Sequence, residues 1–352
     1  MTEAYIKLGE IATYINGYAF KPKDRGREGL PIIRIQDLTG NSNDKGFYKG
    51  KYPSKIEINN GDILISWSAS LGVYIWNSGR ALLNQHIFKV VFDKKAIDRD
   101  YFVYAVQFSL NKMKQLKHGA TMKHVVKKDF ENVSIPYPSL TEQRKIACIL
   151  DKLKKSMSKR LQELKKLDEL IKARFVEMFG DPVNNSKDQP VDKFINIVKL
   201  QRGFDLPVKK RDSTGKIPVF GSNGIVGYHT EAKAKNGIIT GRSGTIGKVY
   251  RKSGEYWPLN TSLFSVDTHG NNIIFLQVLM QLFHLERFYN GAGVPTLNRN
   301  DVHRQKIIKI SLDKQNEFAN FVQQVDKSKV AVQKSLDETQ KLYDSLMQEY
   351  FG

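Results

Sequence analysis

The chain has 352 residues, 40% of them hydrophobic and 11% aromatic, with a single cysteine, Cys148. That content excludes a disordered chain and suffices for two or three packed domains, while one cysteine excludes a disulfide or thiolate-zinc framework and fits a reducing cytoplasm. Lys and Arg number 56 against 36 Asp and Glu, for a net charge of +20; this favours a polyanionic partner, nucleic acid first, and neither a signal-peptide pattern nor the roughly 20 apolar residues of a membrane span occurs.

The first block, residues 1–140, holds 21 basic and 13 acidic residues. After Gly17 comes a polar, basic run with Lys21, Lys23, Arg25, Arg27, Arg34 and Gln36. Side chains of these types contact phosphates and base edges. Asp62-Ile63-Leu64-Ile65-Ser66 reads as a strand and runs into Trp67-Ser68-Ala69-Ser70, where short polar residues permit close backbone approach. A third loop carries Thr121, Lys123 and His124.

Residues 141–180 follow as a long helix. Ser139 with Glu142 forms a capping-box pattern, and Gly180 followed by Pro182 stops the helix. A heptad pattern with alternating intervals of four and three runs through Ile146, Leu150, Leu153, Met157, Arg160, Leu164, Leu167, Ile171, Arg174 and Met178, mostly apolar positions that form the seam of a left-handed coiled coil. Cys148 is expected to pack within this helix as a small apolar group.

The remainder repeats this plan. At a constant shift of 172, Gly119-Ala120 falls on Gly291-Ala292, Gln143 on Gln315, Ala147 on Ala319 and Phe179-Gly180 on Phe351-Gly352. Upstream the shift drifts, as loop insertions require. Residues 62–72 match 237–247 at 175, Asn84 and Phe88 match Asn260 and Phe264 at 176, and Gly17 matches Gly203 at 186. The second block, residues 181–312, holds 19 basic and 10 acidic residues. Its counterpart loops carry Arg202, Lys209, Lys210 and Arg211, then Arg242, Ser243 and Thr245, then Thr296, Asn298 and Arg299. Residues 313–352 give the second helix, with the seam Phe318, Val322, Val325, Lys329, Val332, Leu336, Thr339, Tyr343, Leu346 and Tyr350.

The linker from Asp181 to Ser186 is short, so the second helix has to return along the first. The expected fold is therefore α+β: two similar mixed α/β domains separated by an antiparallel two-helix coiled coil, related by a pseudo-two-fold repeat. A helix near forty residues long would hold the domains apart by roughly 60 Å at 1.5 Å per residue. Two different reading modules so arranged would read a split, asymmetric DNA site.

Motifs for chemistry are weak. Ile135-Pro136-Tyr137-Pro138 has the wrong order for an amino-methylase motif, and Arg242 and Val249 break the phosphate-loop pattern ending at Lys248. Asp212 with Glu231 and Lys233 has a nuclease-like composition but no counterpart in the first copy. The seven His show no metal-ligand spacing. A self-contained nuclease or methylase with an unrecognised site, and a structural coiled-coil scaffold, stay open on these residues alone.

The run from Ile135 through Ser139-Leu140-Thr141-Glu142-Gln143-Arg144 to Ala147 resembles the proline-rich entry into the helical spacer of type I restriction-modification specificity subunits. Arg174-Phe175-Val176-Glu177-Met178-Phe179-Gly180-Asp181-Pro182 is similar to that spacer's end, and Gly61-Asp62-Ile63-Leu64 to a recurring strand. The second copy departs from the pattern, with Ile310-Ser311-Leu312-Asp313 at the helix entry. The resemblance implies target-recognition domains over 1–140 and 181–312 and spacer helices over 141–180 and 313–352. It implies a non-catalytic subunit that binds double-stranded DNA and no cofactor. Its partners would be modification subunits that methylate adenine with S-adenosylmethionine, and such an assembly can also take a translocating restriction endonuclease subunit.

Overall fold

The computed structural model describes residues 4–41, 44–68, 70–115, 126–212, 214–290 and 293–352. The chain forms two compact units: Met1–Lys159 with Leu336–Gly352, and Arg160–Ser335. Each long helix is thereby divided between the units. No helix among the described residues is long and apolar enough to cross a membrane.

In the first unit, Ile63–Ser66 is an unbroken buried run, so it lies inside a sheet. It pairs antiparallel with Ile87–Val91 on one side and Gly72–Ile75 on the other, and Thr13–Asn16 adds beyond Ile87–Val91. A second four-stranded sheet has the order Phe47–Tyr48, Leu30–Ile33, Ala81–Leu83, Glu57–Ile58, with its central pair parallel. The segments Tyr5–Lys7 and Ser134–Pro136 pair where the chain enters and leaves the domain. Helix Arg99–Gln115 contributes Phe102, Ala105 and Val106 to the core, which also holds Tyr14, Phe88 and Phe130.

The second unit follows the same plan with one merger. Its six-stranded sheet runs Lys199–Arg202, Ser262–Asp267, Ala234–Gly241, Val249–Pro258, Ile217–Gly221, Gly224–His229. The first four correspond in order to the first sheet of the other unit. Val249–Pro258 spans as one strand what the first unit builds from Gly72–Ile75 and Ala81–Leu83. Its end pairs in parallel with Ile217–Gly221, as Ala81–Leu83 does with Leu30–Ile33.

Strand register corrects one sequence match. Ser66 opposes Ile87 and Ile65 opposes Phe88, while Gly241 opposes Ser262 and Thr240 opposes Leu263. The shift of 175 therefore continues through these strands. Asn84 corresponds to Leu259 and Phe88 to Leu263; the Asn84–Asn260 and Phe88–Phe264 matches were one residue out. Gln85 and His86 take the places of Asn260 and Thr261.

The long helices run Leu140–Phe179 and Leu312–Phe351. The Glu142 amide donates to Ser139 Oγ at the first start, and Gly180 closes that helix at φ +84°, a conformation glycine adopts freely. All twenty seam positions are buried or half-buried, while Leu161, Leu170, Val330 and Leu342, off the seam, are exposed. Cys148 is also exposed, facing away from the seam rather than packing as expected.

Within the second unit the helices are antiparallel. Asp168 pairs with Lys329 at 2.5 Å, and further along the first helix Phe175 packs edge-on against Phe318 at 5.4 Å. Within the first, the Lys154 ammonium lies 5.9 Å from the Tyr343 ring centroid. Seam residues and their neighbours at the helix ends also dock each helix on its globular domain. Ile146, Ala147 and Leu150 enter the first core together with Met347 and Phe351. Phe318 and Val322 enter the second together with Phe175 and Phe179. Each core thus holds the start of one long helix and the end of the other.

Candidate nucleic-acid interface

Both interfaces are built where a glycine lets the chain cross the floor of a turn. In the first unit the Gly17 amide donates to Ile87 O and the Tyr18 amide to Leu83 O. A Cβ on Gly17 would lie 2.1 Å from Asn84 O, so no other residue fits without moving the backbone. In the second unit the Gly203 amide donates to Ser262 O and the Phe204 amide to Pro258 O, and a Cβ on Gly203 would lie 2.2 Å from Leu259 O. The same crossing is made twice, over Asn84-Gln85-His86 and over Leu259-Asn260-Thr261.

A cavity opens at each crossing. In the first unit it has a volume of about 390 Å³ and is lined by Phe20, Arg34, Gln36, Ser68, Ser70, Asn84, Gln85 and His86, among others. In the second it is about 290 Å³, between Asp205, Leu206, Pro207, Val208, Arg211, Leu259, Asn260 and Thr261. Phe20 and Leu206 hold corresponding places, as do Gln85 and Asn260, and His86 and Thr261.

Of the first unit's sequence-selected residues, Arg34, Gln36, Ser68 and Ser70 come together at this cavity. Arg25 and Arg34 both lean on Asp44: Arg25 through its carboxylate at 2.7 Å, Arg34 through its carbonyl. Arg34 Nε also donates to Asp37 at 3.3 Å. Lys21, Lys23 and Arg27 are exposed and outside the cavity lining, a placement suited to phosphates rather than bases. The Trp67 ring does not project; it stacks on Phe88 and meets His86 edge-on at 5.3 Å. Thr121, Lys123 and His124 lie outside the described residues.

The second unit joins its loops more tightly. The Arg242 and Ser243 amides both donate to Thr261 O, and the Leu297 amide donates to Arg242 O. Ser243 and Thr296 form a β-bridge, and the Gly244 amide reaches Pro295 O. The loops containing Thr245 and Thr296 therefore share one rim. Arg242 is half-buried, and its Nε donates to Asn260 O at 2.8 Å, which anchors the guanidinium beside the turn. Burial, and then the charge of Arg202, hold its guanidinium below its usual pKa. Arg202 lies 4.0 Å from Asp205, whose carboxylate also accepts from Asn260 Nδ2.

Other selected residues hold the scaffold. Arg211 donates to Leu206 O and Val226 O, tying the basic turn to the edge hairpin. Asn298 Oδ1 accepts from the Asn300 amide and caps the short helix Arg299–His303, at whose start Arg299 is exposed. Lys209 and Lys210 are exposed on the turn Val208–Lys210. Sequence reading missed Gln85, His86, Asn260, Thr261 and Asp44. The first four are polar pairs wedged between apolar strand runs, a turn signal that an identity-based match displaced by one residue.

Comparison with known proteins agrees with this architecture. The family model described as "Type I restriction modification DNA specificity domain" matches residues 3–166 and 193–340. The EcoBI specificity subunit of Escherichia coli is 28% identical over 170 residues, 47% of this chain and 35% of that protein. The MjaVIII specificity subunit of Methanocaldococcus jannaschii is 33% identical over 168 residues, 46% of this chain and 39% of that one. The matches thus span little more than a third of those relatives' lengths. A crystal structure of a type I restriction-modification S subunit from M. genitalium superposes with a TM-score of 0.60 over 100% of this chain and 97% of that one, at 16% identity, a likeness of fold.

Proposed function

The chain belongs to the type I restriction-modification DNA specificity domain family, and from that premise we propose that it is the non-catalytic DNA-reading subunit of such a system. It reads a split, asymmetric site and addresses adenine methylation and DNA cleavage by separate subunits. The twin cavities carry this reading. Two corresponding places in the repeat are built on one backbone plan and lined by different side chains, Arg34, Gln36, Gln85 and His86 in one, Arg211, Asn260 and Thr261 in the other. One plan with two chemistries suits two unlike half-sites.

The partners are double-stranded DNA, modification subunits that bring S-adenosylmethionine, and a restriction subunit, all in the cytoplasm. The exposed cations Lys21, Lys23, Arg27, Lys209 and Lys210 supply the phosphate contacts, and the cavity walls supply the base contacts. The test is selection of bound duplexes from a random library by the full-length chain, repeated across a salt series. Recovery of one interrupted sequence, with affinity falling steeply as salt rises, is expected. Binding without sequence preference refutes the reading.

A further inference from the structure

We infer that Gln85 and His86 determine the base choice of the half-site read by the first unit, with the Gln85 amide taking the major-groove edge of an adenine. This rests on the DNA-reading function proposed above and adds which side chains read.

The argument comes from comparing one frame in two units. In the second, the Arg242 amide donates to Thr261 O; in the first, the Trp67 amide donates to His86 O. Trp67 and Arg242 thus occupy the same position, as do His86 and Thr261. Their side chains exchange tasks. Arg242 keeps its guanidinium beside the turn, anchored through Nε to Asn260 O, and its backbone amide meets the small Thr261. Trp67 instead turns inward onto Phe88, and its ring makes an edge-to-face contact with the His86 ring. The indole cannot read from there; it is a platform that positions His86. The projecting groups at the first cavity are therefore on the turn, where Gln85 is exposed, His86 half-buried, and both line the cavity with Arg34 and Gln36.

The chemistry of the pair selects the ligand. Gln85 Nε2 lies 3.2 Å from His86 Nε2, so the ring and the amide are held as one unit. The Gln85 backbone amide is occupied by Asn84 Oδ1 at 2.6 Å, which fixes the turn. The Gln85 amide nitrogen carries two N–H groups, so with one directed at His86 the other, together with Oε1, still presents the donor–acceptor pair that complements adenine N7 and N6 in the major groove. A guanidinium fork such as that of Arg242 complements guanine instead. The two units are thereby assigned different bases at the same place in the frame.

The test compares sites selected from a random duplex library by the full-length chain and by its Gln85→Ala and His86→Gln variants. The wild-type site should contain an adenine in one half whose replacement weakens binding about 5- to 150-fold. Gln85→Ala should relax that preference and leave the other half-site unchanged. Replacing the adenine by 7-deazaadenine should weaken wild type and leave Gln85→Ala unaffected. Because Gln85 is exposed, this variant should melt with the wild type; His86→Gln keeps a polar side chain on the Trp67 platform. If the wild type selects a split site and both variants select the same site with the same preferences, the inference is overturned while the function stands. If the wild type selects no sequence, the function itself fails.

Discussion

Gln143 and Gln315, 172 residues apart, make the same pair of hydrogen bonds in their respective units. Gln143 Oε1 accepts from the Asp98 amide and its Nε2 donates to Pro138 O, both at 2.8 Å. Gln315 Oε1 accepts from the Asn272 amide at 2.9 Å and its Nε2 donates to Ile310 O at 2.8 Å. Both side chains are buried, at 0% and 1% exposure. Each ties the entry of a long helix to the start of the domain helix beside it, Arg99–Gln115 or Ile273–Leu282. Replacing either by Ala leaves backbone groups without their partner in an apolar site, at a cost of about 1–3 kcal/mol. The two losses should add in the double variant, because the residues share no partner. Urea unfolding of the three variants measures this; a double variant no worse than either single one would contradict it.

The glycine crossings make a second prediction. Gly17→Ala and Gly203→Ala each drive a methyl group into a backbone carbonyl, at Asn84 and Leu259 respectively. Backbone must move to relieve the clash, and overpacking of this kind costs about 1–3 kcal/mol. The displaced turn carries the base-reading residues. Selection by Gly17→Ala should therefore degrade one half-site, and selection by Gly203→Ala the other. Both half-sites degrading together in a single variant would show that the turns do not act separately.

The repeat was legible because packing forbids insertions along a helix pair. A residue added to either helix would rotate its seam out of contact, so the shift of 172 stays constant from Gln143 through Phe179. The cavities were less legible. Identity suggested Asn84 with Asn260, yet hydrogen bonding between Ser66 and Ile87, and between Gly241 and Ser262, sets the register one residue away. Side-chain partners were invisible too: Trp67 and Arg242 match in the sequence, but one stacks on a core phenylalanine and the other hydrogen-bonds the Asn260 carbonyl. Arg25 was legible as a charge and not as the partner of Asp44, since that pairing depends on how a long loop folds back.

His303 makes the second unit sensitive to acid. Its Nε2 accepts a hydrogen bond from the Leu200 amide at 3.0 Å, which requires the neutral ring, and it stacks beside Phe194. Burial lowers its pKa below 6.5, helped by the charges of Arg299 and Lys199. Below 6.5 the unfolded chain binds a proton that the folded chain does not, so stability falls as pH drops from 6.5 toward the folded value. Above 6.5 this contribution is fully present. His303→Gln keeps an acceptor for Leu200 and does not titrate. Its urea midpoint should lose this part of the pH dependence; identical slopes for wild type and variant between pH 5 and 7 would exclude His303 as the source.

Arg242 offers the sharpest test of local reading. Its Nε is held by Asn260 O, and its backbone joins Thr261 O and the Leu297 amide. A fork fixed in this way suits the O6 and N7 acceptors of guanine. Arg242→Lys keeps the charge and loses both the fork and the Nε anchor. Contacts to phosphate should persist, so affinity for non-specific duplex should change little. Discrimination for guanine over other bases at one position should fall by about 1–3 kcal/mol. The half-site assigned to the first unit should be selected as before, because Gln85 and His86 are untouched. An equal loss in both half-sites, measured by competition between singly substituted duplexes, would show that Arg242 supports the protein's charge and reads no base.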